Sequence, residues 1–167
     1  SDGRMRRKLI WYLVYSVTNP GKVMPSQEGT DGKFELQASD KPIPFIPVFR
    51  LYSHEFRKWY QDRVIPVALG PIGMREDPKR KFYNSVEMAA RPIKPGETLW
   101  GLATWEDVDP KIDRFSVYAS GLTNAYRWQD TPGAYKPGDP LGKGRTFVRK
   151  VLKLNFWRPG DEFAPHE

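Results

Sequence analysis

Two histidines, His54 and His166, are the only imidazoles in the 167-residue chain, and it contains no cysteine. The missing thiols exclude a thiolate nucleophile, a thiolate zinc site and a disulfide scaffold. A Ser-His-Asp relay or a two-histidine metal centre would have to be built on His54, because His166 stands next to the last residue. The pair His54-Glu55 could ligate a metal or relay a proton, but neighbours point about 100° apart on a helix and to opposite faces on a strand. The densest carboxylates are Glu106, Asp107, Asp109 and Asp113. Hard cations such as calcium want several oxygens converging in a loop, so these four are the candidate calcium ligands. Their spacing departs from the helix-loop-helix calcium loop, and Asp109-Pro110 also suits a turn in which a carboxylate bonds nearby amides. The pairs Glu76-Asp77 and Asp161-Glu162 raise glycoside hydrolysis, which needs an acid and a base on either side of a substrate. Residues 138–144 carry several glycines and Lys143 but lack the Gly-Lys-Ser/Thr ending of a phosphate loop. No catalytic residue is assigned, no cofactor is expected, and the chain is read as non-enzymatic.

Rings interleaved with cations offer a different chemistry: Phe56-Arg57-Lys58-Trp59-Tyr60, Tyr126-Arg127-Trp128 and Phe156-Trp157-Arg158. Exposed aromatic platforms beside cations bind sugar rings by stacking, or single-stranded nucleic acid by base stacking and phosphate pairing. Trp59, Tyr60, Tyr126 and Trp128, with Arg57 and Arg127, are the candidate ligand-binding residues, since they fall near loops. The competing use of such rings is to fill the space between two sheets. A carbohydrate module calls for three coplanar rings on one face or loop edge. Isolated apolar rings on an exposed sheet face could instead pack on another protein. The net charge of +7 admits an anionic partner, but beyond Arg4, Arg6, Arg7 and Lys8 the cations are scattered among acids. A protein or glycan partner is therefore expected ahead of nucleic acid.

The elements that position these residues are mostly strands. Residues 9–17 alternate with apolar side chains on both faces, which predicts a central strand too short to span a bilayer, closed by the turn Asn19-Pro20-Gly21. Period-two runs recur at 34–37, 45–52, 81–89, 98–105, 114–120, 124–128 and 146–157. Pro42, Pro44 and Pro47 confine the 45–52 run to an edge or to an extended approach. Residues 53–69 read as a short helix or helical turn behind a candidate Ser53 cap, with Phe56, Trp59, Tyr60 and Val64 at helical spacing, ending by Pro66. Residues 70–81 and 131–144 read as surface loops. Together these signals predict one all-β domain over 1–167, an antiparallel sandwich of roughly seven to nine strands with one short helix and long loops. Residues 1–8 are expected as a flexible basic segment.

Two stretches resemble a known family. Tyr12-Leu13-Val14-Tyr15-Ser16-Val17-Thr18-Asn19-Pro20-Gly21 is similar to the second strand of immunoglobulin-like domains in exported bacterial proteins, where a hydrophobic strand ends in a V-x-N-x-G turn. Ile93-Lys94-Pro95-Gly96-Glu97-Thr98-Leu99-Trp100-Gly101 resembles the L-x-P-G-E-x-x-x-G run that leads into a later strand of the same domains. The resemblance implies an immunoglobulin-like fold and a periplasmic, cell-envelope or extracellular setting. It implies no activity, since such domains serve as spacers or binding modules. The 53–81 insertion and the 131–144 loop depart from the family pattern. The start Ser1-Asp2-Gly3 ahead of Arg4 and Met5 reads as trimmed or engineered, which leaves room for an upstream export signal or a membrane or lipid anchor. The functional expectation is a non-catalytic structural or protein-interaction domain; the alternative is a carbohydrate-binding module.

Overall fold

Alternation of apolar residues builds the long strands of this chain, and prolines and glycines set where they begin and stop. The computed structural model describes residues 8–23, 36–123 and 126–158. In chain order the strands are β1 (Ile10–Thr18), β2 (Lys22–Val23), β3 (Gln37–Ala38), β4 (Val48–Ser53), β5 (Lys58–Gln61), β6 (Phe82–Tyr83), β7 (Thr98–Glu106), β8 (Arg114–Ser120), β9 (Tyr126–Asp130), β10 (Arg145–Arg149) and β11 (Leu152–Trp157). Helix α1 (Pro66–Glu76) lies between β5 and β6, and α2 (Ser85–Ala89) between β6 and β7. The all-β class is as expected. The long strands form a three-stranded sheet, β1-β7-β6, and a four-stranded sheet, β11-β8-β4-β5; two ribbons, β9-β10 and β2-β3, complete the set. Every pairing is antiparallel except β6 with β7.

The two large sheets share one core. Trp11, Leu13 and Tyr15 of β1 and Trp105 of β7 meet Phe49 and Leu51 of β4 and Val117 of β8 in a single apolar cluster. On the opposite side of the three-stranded sheet, Ala68 and Ile72 of α1 pack on Leu102, with Tyr12 and Val14 against them. Tyr12 also donates a hydrogen bond to Glu76 at the end of α1, at 2.5 Å. The two apolar faces of β1 thus have a cause other than the expected one. It is an edge strand, not a central one, and both its faces are covered because a sheet lies on one side and a helix on the other.

The predicted helix over 53–69 is corrected. Ser53 Oγ accepts from the Phe56 amide at 3.1 Å, but it caps a turn, and Arg57 at φ 51° closes the hairpin into β5. Alternation within Lys58-Trp59-Tyr60-Gln61 outweighs the three-and-four spacing. Pro66, expected to end a helix, starts α1 instead, because the first helical position needs no amide hydrogen and welcomes a fixed φ. The expected strand over 81–89 yields to α2 after Tyr83. Asn84 accepts from the Val86 and Glu87 amides at 3.0 and 2.9 Å, and Glu87 accepts from the Asn84 amide at 3.0 Å, a complete capping box. The run 146–157 is interrupted at Lys150-Val151, so β10 belongs to the ribbon and β11 to the sheet. Residues 34–35 and 124–125 of two expected strands lie outside the described residues, as do residues 1–7 of the expected flexible segment.

The two family-like stretches meet in space. The Asn19 amide donates to the Glu97 carbonyl at 3.1 Å, and the Gly96 amide donates to the Asn19 carbonyl at 2.8 Å. The buried Asn19 side chain donates to the Ile93 carbonyl at 2.9 Å and the Lys41 carbonyl at 3.3 Å, and accepts from the Gly21 amide at 2.9 Å. Gly21, at φ 65°, takes the left-handed conformation this turn requires. Replacing Asn19 with alanine removes three side-chain hydrogen bonds and unties three segments, so we expect Asn19→Ala to cost about 1–3 kcal/mol in urea unfolding; a change below about 0.5 kcal/mol would refute the anchoring role.

Candidate binding surfaces

Register decides which side chains share the solvent face of the four-stranded sheet. Gln61, Arg50, Tyr118 and Lys153 form one cross-strand row, and Trp59, Tyr52, Ser116 and Asn155 form the next. Tyr52 and Trp59 lie 4.7 Å apart at 44°, and Trp59 and Tyr118 5.0 Å apart at 53°. The His54 ring meets Tyr52 edge-on at 5.2 Å. His54 Nε2 lies 2.7 Å from the buried Ser116 hydroxyl, which is 2.8 Å from Asn155 Oδ1. A hydroxyl has one proton; given to Asn155, it leaves His54 to donate from Nε2. Arg50 Nε donates to Gln61 at 3.1 Å, and Lys153 Nζ sits 5.6 Å over the Tyr118 ring. Neither row contains an acidic residue.

Of the candidate ligand residues, Trp59 is on this face and 53% exposed. Tyr60 is corrected: one residue along the same strand, it points the other way and is 7% exposed in the core. Arg57 occupies the β4–β5 turn. Arg127 and Trp128 stand in another sheet, on β9, opposite Val148 and Phe147 of β10. Trp128 is 55% exposed under the Arg145 guanidinium, which forks onto Asp130 at 2.7 and 2.9 Å. The Tyr126 side chain lies outside the described residues. The structure therefore gathers only Trp59 of the expected set on this face, and its partners Tyr52 and Tyr118 come from strands whose outward residues carried no local signal. The three rings are tilted against one another, not laid out as a coplanar strip.

The acidic loop does not converge. Glu106 accepts from Lys8 and, at 2.8 Å, from Arg63, and the Lys8 hydrogen bond first and Arg63 second hold its carboxyl below the usual range. Asp107 lies 3.4 Å from Lys8, with φ 59°. Asp109 accepts from the Lys111 amide at 2.9 Å, the alternative turn role, and the Asp113 carbonyl accepts from the Arg158 amide. Among the described residues no group of three or more histidine or carboxylate side chains is placed to hold a metal; of the four expected calcium ligands Glu106, Asp107, Asp109 and Asp113, the first two lie against Lys8 and the third accepts from the Lys111 amide. Among the described residues Asp62 is the one carboxyl held above its ordinary range, chiefly by burial, and it accepts from Gln61 Nε2 at 2.8 Å and the Phe49 amide at 3.3 Å.

The third surface is a side of the molecule. Trp11 of β1 packs edge-on against Phe115 of β8 at 5.2 Å, and Phe115 stacks on Phe156 of β11 at 5.1 Å. Phe115 thus links the Trp11 end of β1 to Phe156 of the edge strand β11. Leu152 and Leu154 face inward, paired with Ala119 and Val117, yet remain 46% and 36% exposed. Among the described residues β1 pairs with β7 alone.

No family model, curated protein or solved structure matches this chain. Adjacent Trp59 and Tyr60 provide an internal test of the face assignment. In chemical denaturation Trp59→Ala should cost about 0.5–1.5 kcal/mol, the loss of ring pairing, whereas Tyr60→Ala should cost about 3–5 kcal/mol for an emptied core site. Equal losses would contradict the register.

Proposed function

We propose that this chain is a non-catalytic protein-interaction domain of immunoglobulin-like sandwich architecture, belonging to an exported or envelope-anchored bacterial protein, and that it takes an extended partner segment along β1. The observations that carry the reading are the inward-facing leucines of β11, Leu152 and Leu154, left partly exposed, and the edge of β1, which among the described residues pairs with β7 alone. A strand added to that edge would pair its backbone with β1 and set alternate side chains over the leucines, which joins main-chain affinity to side-chain selectivity. Natural edge strands are commonly blunted by lysine, proline or a bulge. β1 has nine residues, none charged and none proline, in unbroken register with β7. Support for a non-catalytic role comes from the carboxylates of the 106–113 loop, which are engaged by cations and turn amides instead of facing a common cleft. The family-like turns around Asn19 and Gly96 support the immunoglobulin-like assignment and the envelope setting it implies.

A second reading, a carbohydrate-binding module, is favoured by the exposed Trp59 ring beside the hydrogen-bonding groups of His54 and Asn155.

Hydrogen exchange followed by NMR tests the first reading on the free chain. Alternate β1 amides, those turned away from β7, should exchange within minutes while the intervening set stays protected. A photo-crosslinker replacing Leu152 should then yield one discrete adduct in the cells that make the protein, lost on Leu154→Lys. Protection along the whole of β1, or no adduct, overturns the reading.

A further inference from the structure

We propose that the outer face of β5-β4-β8-β11 binds an anionic sugar unit of an acidic glycan, with the sugar ring stacked on Trp59 and its carboxylate or sulfate held by Lys153 and Arg50. The inference rests on the carbohydrate reading and adds the ligand's charge. Its basis is the charge this face carries beside its ring cluster. On this face Lys153 lies over the Tyr118 ring and Arg50 bonds the neutral Gln61, and among the described residues neither forms an ion pair. The two rows hold no acid to compete for an incoming anion, so the face is electrostatically complementary to a negative ligand and repels none.

Ring geometry distinguishes a sugar from a nucleobase series. Tyr52 and Tyr118 flank Trp59 at 4.7 and 5.0 Å and lean on it, so the three rings support one another and offer a single seat on Trp59. A single-stranded nucleic acid wants successive separate platforms and a cationic track for its backbone. A pyranose needs one ring for its C–H face, with hydrogen-bonding groups at its rim. His54, edge-on against Tyr52, and Asn155 on β11 supply hydrogen-bonding groups along the same row, and the buried Ser116 hydroxyl between them fixes their orientation.

Isothermal titration of the whole chain with a hexauronate oligosaccharide, a heparin hexasaccharide, a neutral glucan hexasaccharide and oligo-dT tests this. The expected result is binding to one or both acidic oligosaccharides, weakened by added salt and by at least tenfold in Trp59→Ala and in Lys153→Gln. Lys153→Arg should restore it, with circular dichroism unchanged in every variant. Uronate preferred over heparin, or the reverse, identifies the anion as carboxylate or sulfate. Equal binding of the neutral glucan, still dependent on Trp59, overturns the anionic assignment and leaves the carbohydrate reading standing. Binding of no oligosaccharide overturns both. Tighter binding of oligo-dT, or acidic-glycan binding indifferent to Trp59→Ala, overturns the proposal.

Discussion

The pairing of β1 with β7 is the constraint on which the rest of the structure hangs. Nine consecutive residues are in register, from Ile10 opposite Glu106 to Thr18 opposite Thr98. Because side chains alternate, a slip of one residue would send Trp11, Leu13 and Tyr15 toward α1 and Tyr12 and Val14 toward the second sheet. Both faces of β1 are apolar, so hydrophobicity alone does not forbid that slip; shape does. Tyr15 lies across Gly101, where a Cβ would overlap its ring, and Tyr15 in turn contacts Phe49 of the opposing sheet at 4.7 Å. Any other residue of β7 placed under that ring would displace it. At the far end, the buried Asn19 amide fastens the strand to the 41–43 and 93–97 segments.

The strands were legible where the pattern is long and two-sided, as in β1, β7 and β8, whose bounds fall within about one residue of the alternation. The helices were not. The apolar residues at 56, 59, 60 and 64 imitate a helical stripe because a hairpin turn inserts residues between two strand segments, and the alternation that competes with the stripe spans only Lys58 to Gln61. α1 was hidden by its prolines and glycines: Pro66, Gly70, Pro71 and Gly73 read as breakers, and the helix stands because Ala68 and Ile72 are packed against Leu102, with tertiary burial overriding propensity. α2 did carry a signal, the Asn84-to-Glu87 capping box, in a stretch whose apolar residues also suit a strand.

The candidate sites were less legible than the fold, for a geometric reason. Sequence locates rings and cations along the chain, but a sheet face collects one residue in two from strands distant in sequence. Tyr52, Trp59, Tyr118 and Lys153 become neighbours only through the β5-β4-β8-β11 order and its registers. The same alternation parts Trp59 from Tyr60, which local reading had joined. The acidic loop shows the converse case: four carboxylates close in sequence are separated by the backbone turns around Asp107 and Asp109.

Helix α1 covers the outer side of one sheet, and no described element covers the outer side of the other. That asymmetry divides the chain's positions into two evolutionary regimes. Inward residues of β4, β8 and β11 are bound by the volume of a shared core, whereas Arg50, Tyr52, Trp59, Tyr118, Lys153 and Asn155 answer only to one another and to whatever they meet. Substitutions among those side chains can therefore change the chemistry of that face while the scaffold beneath keeps its register.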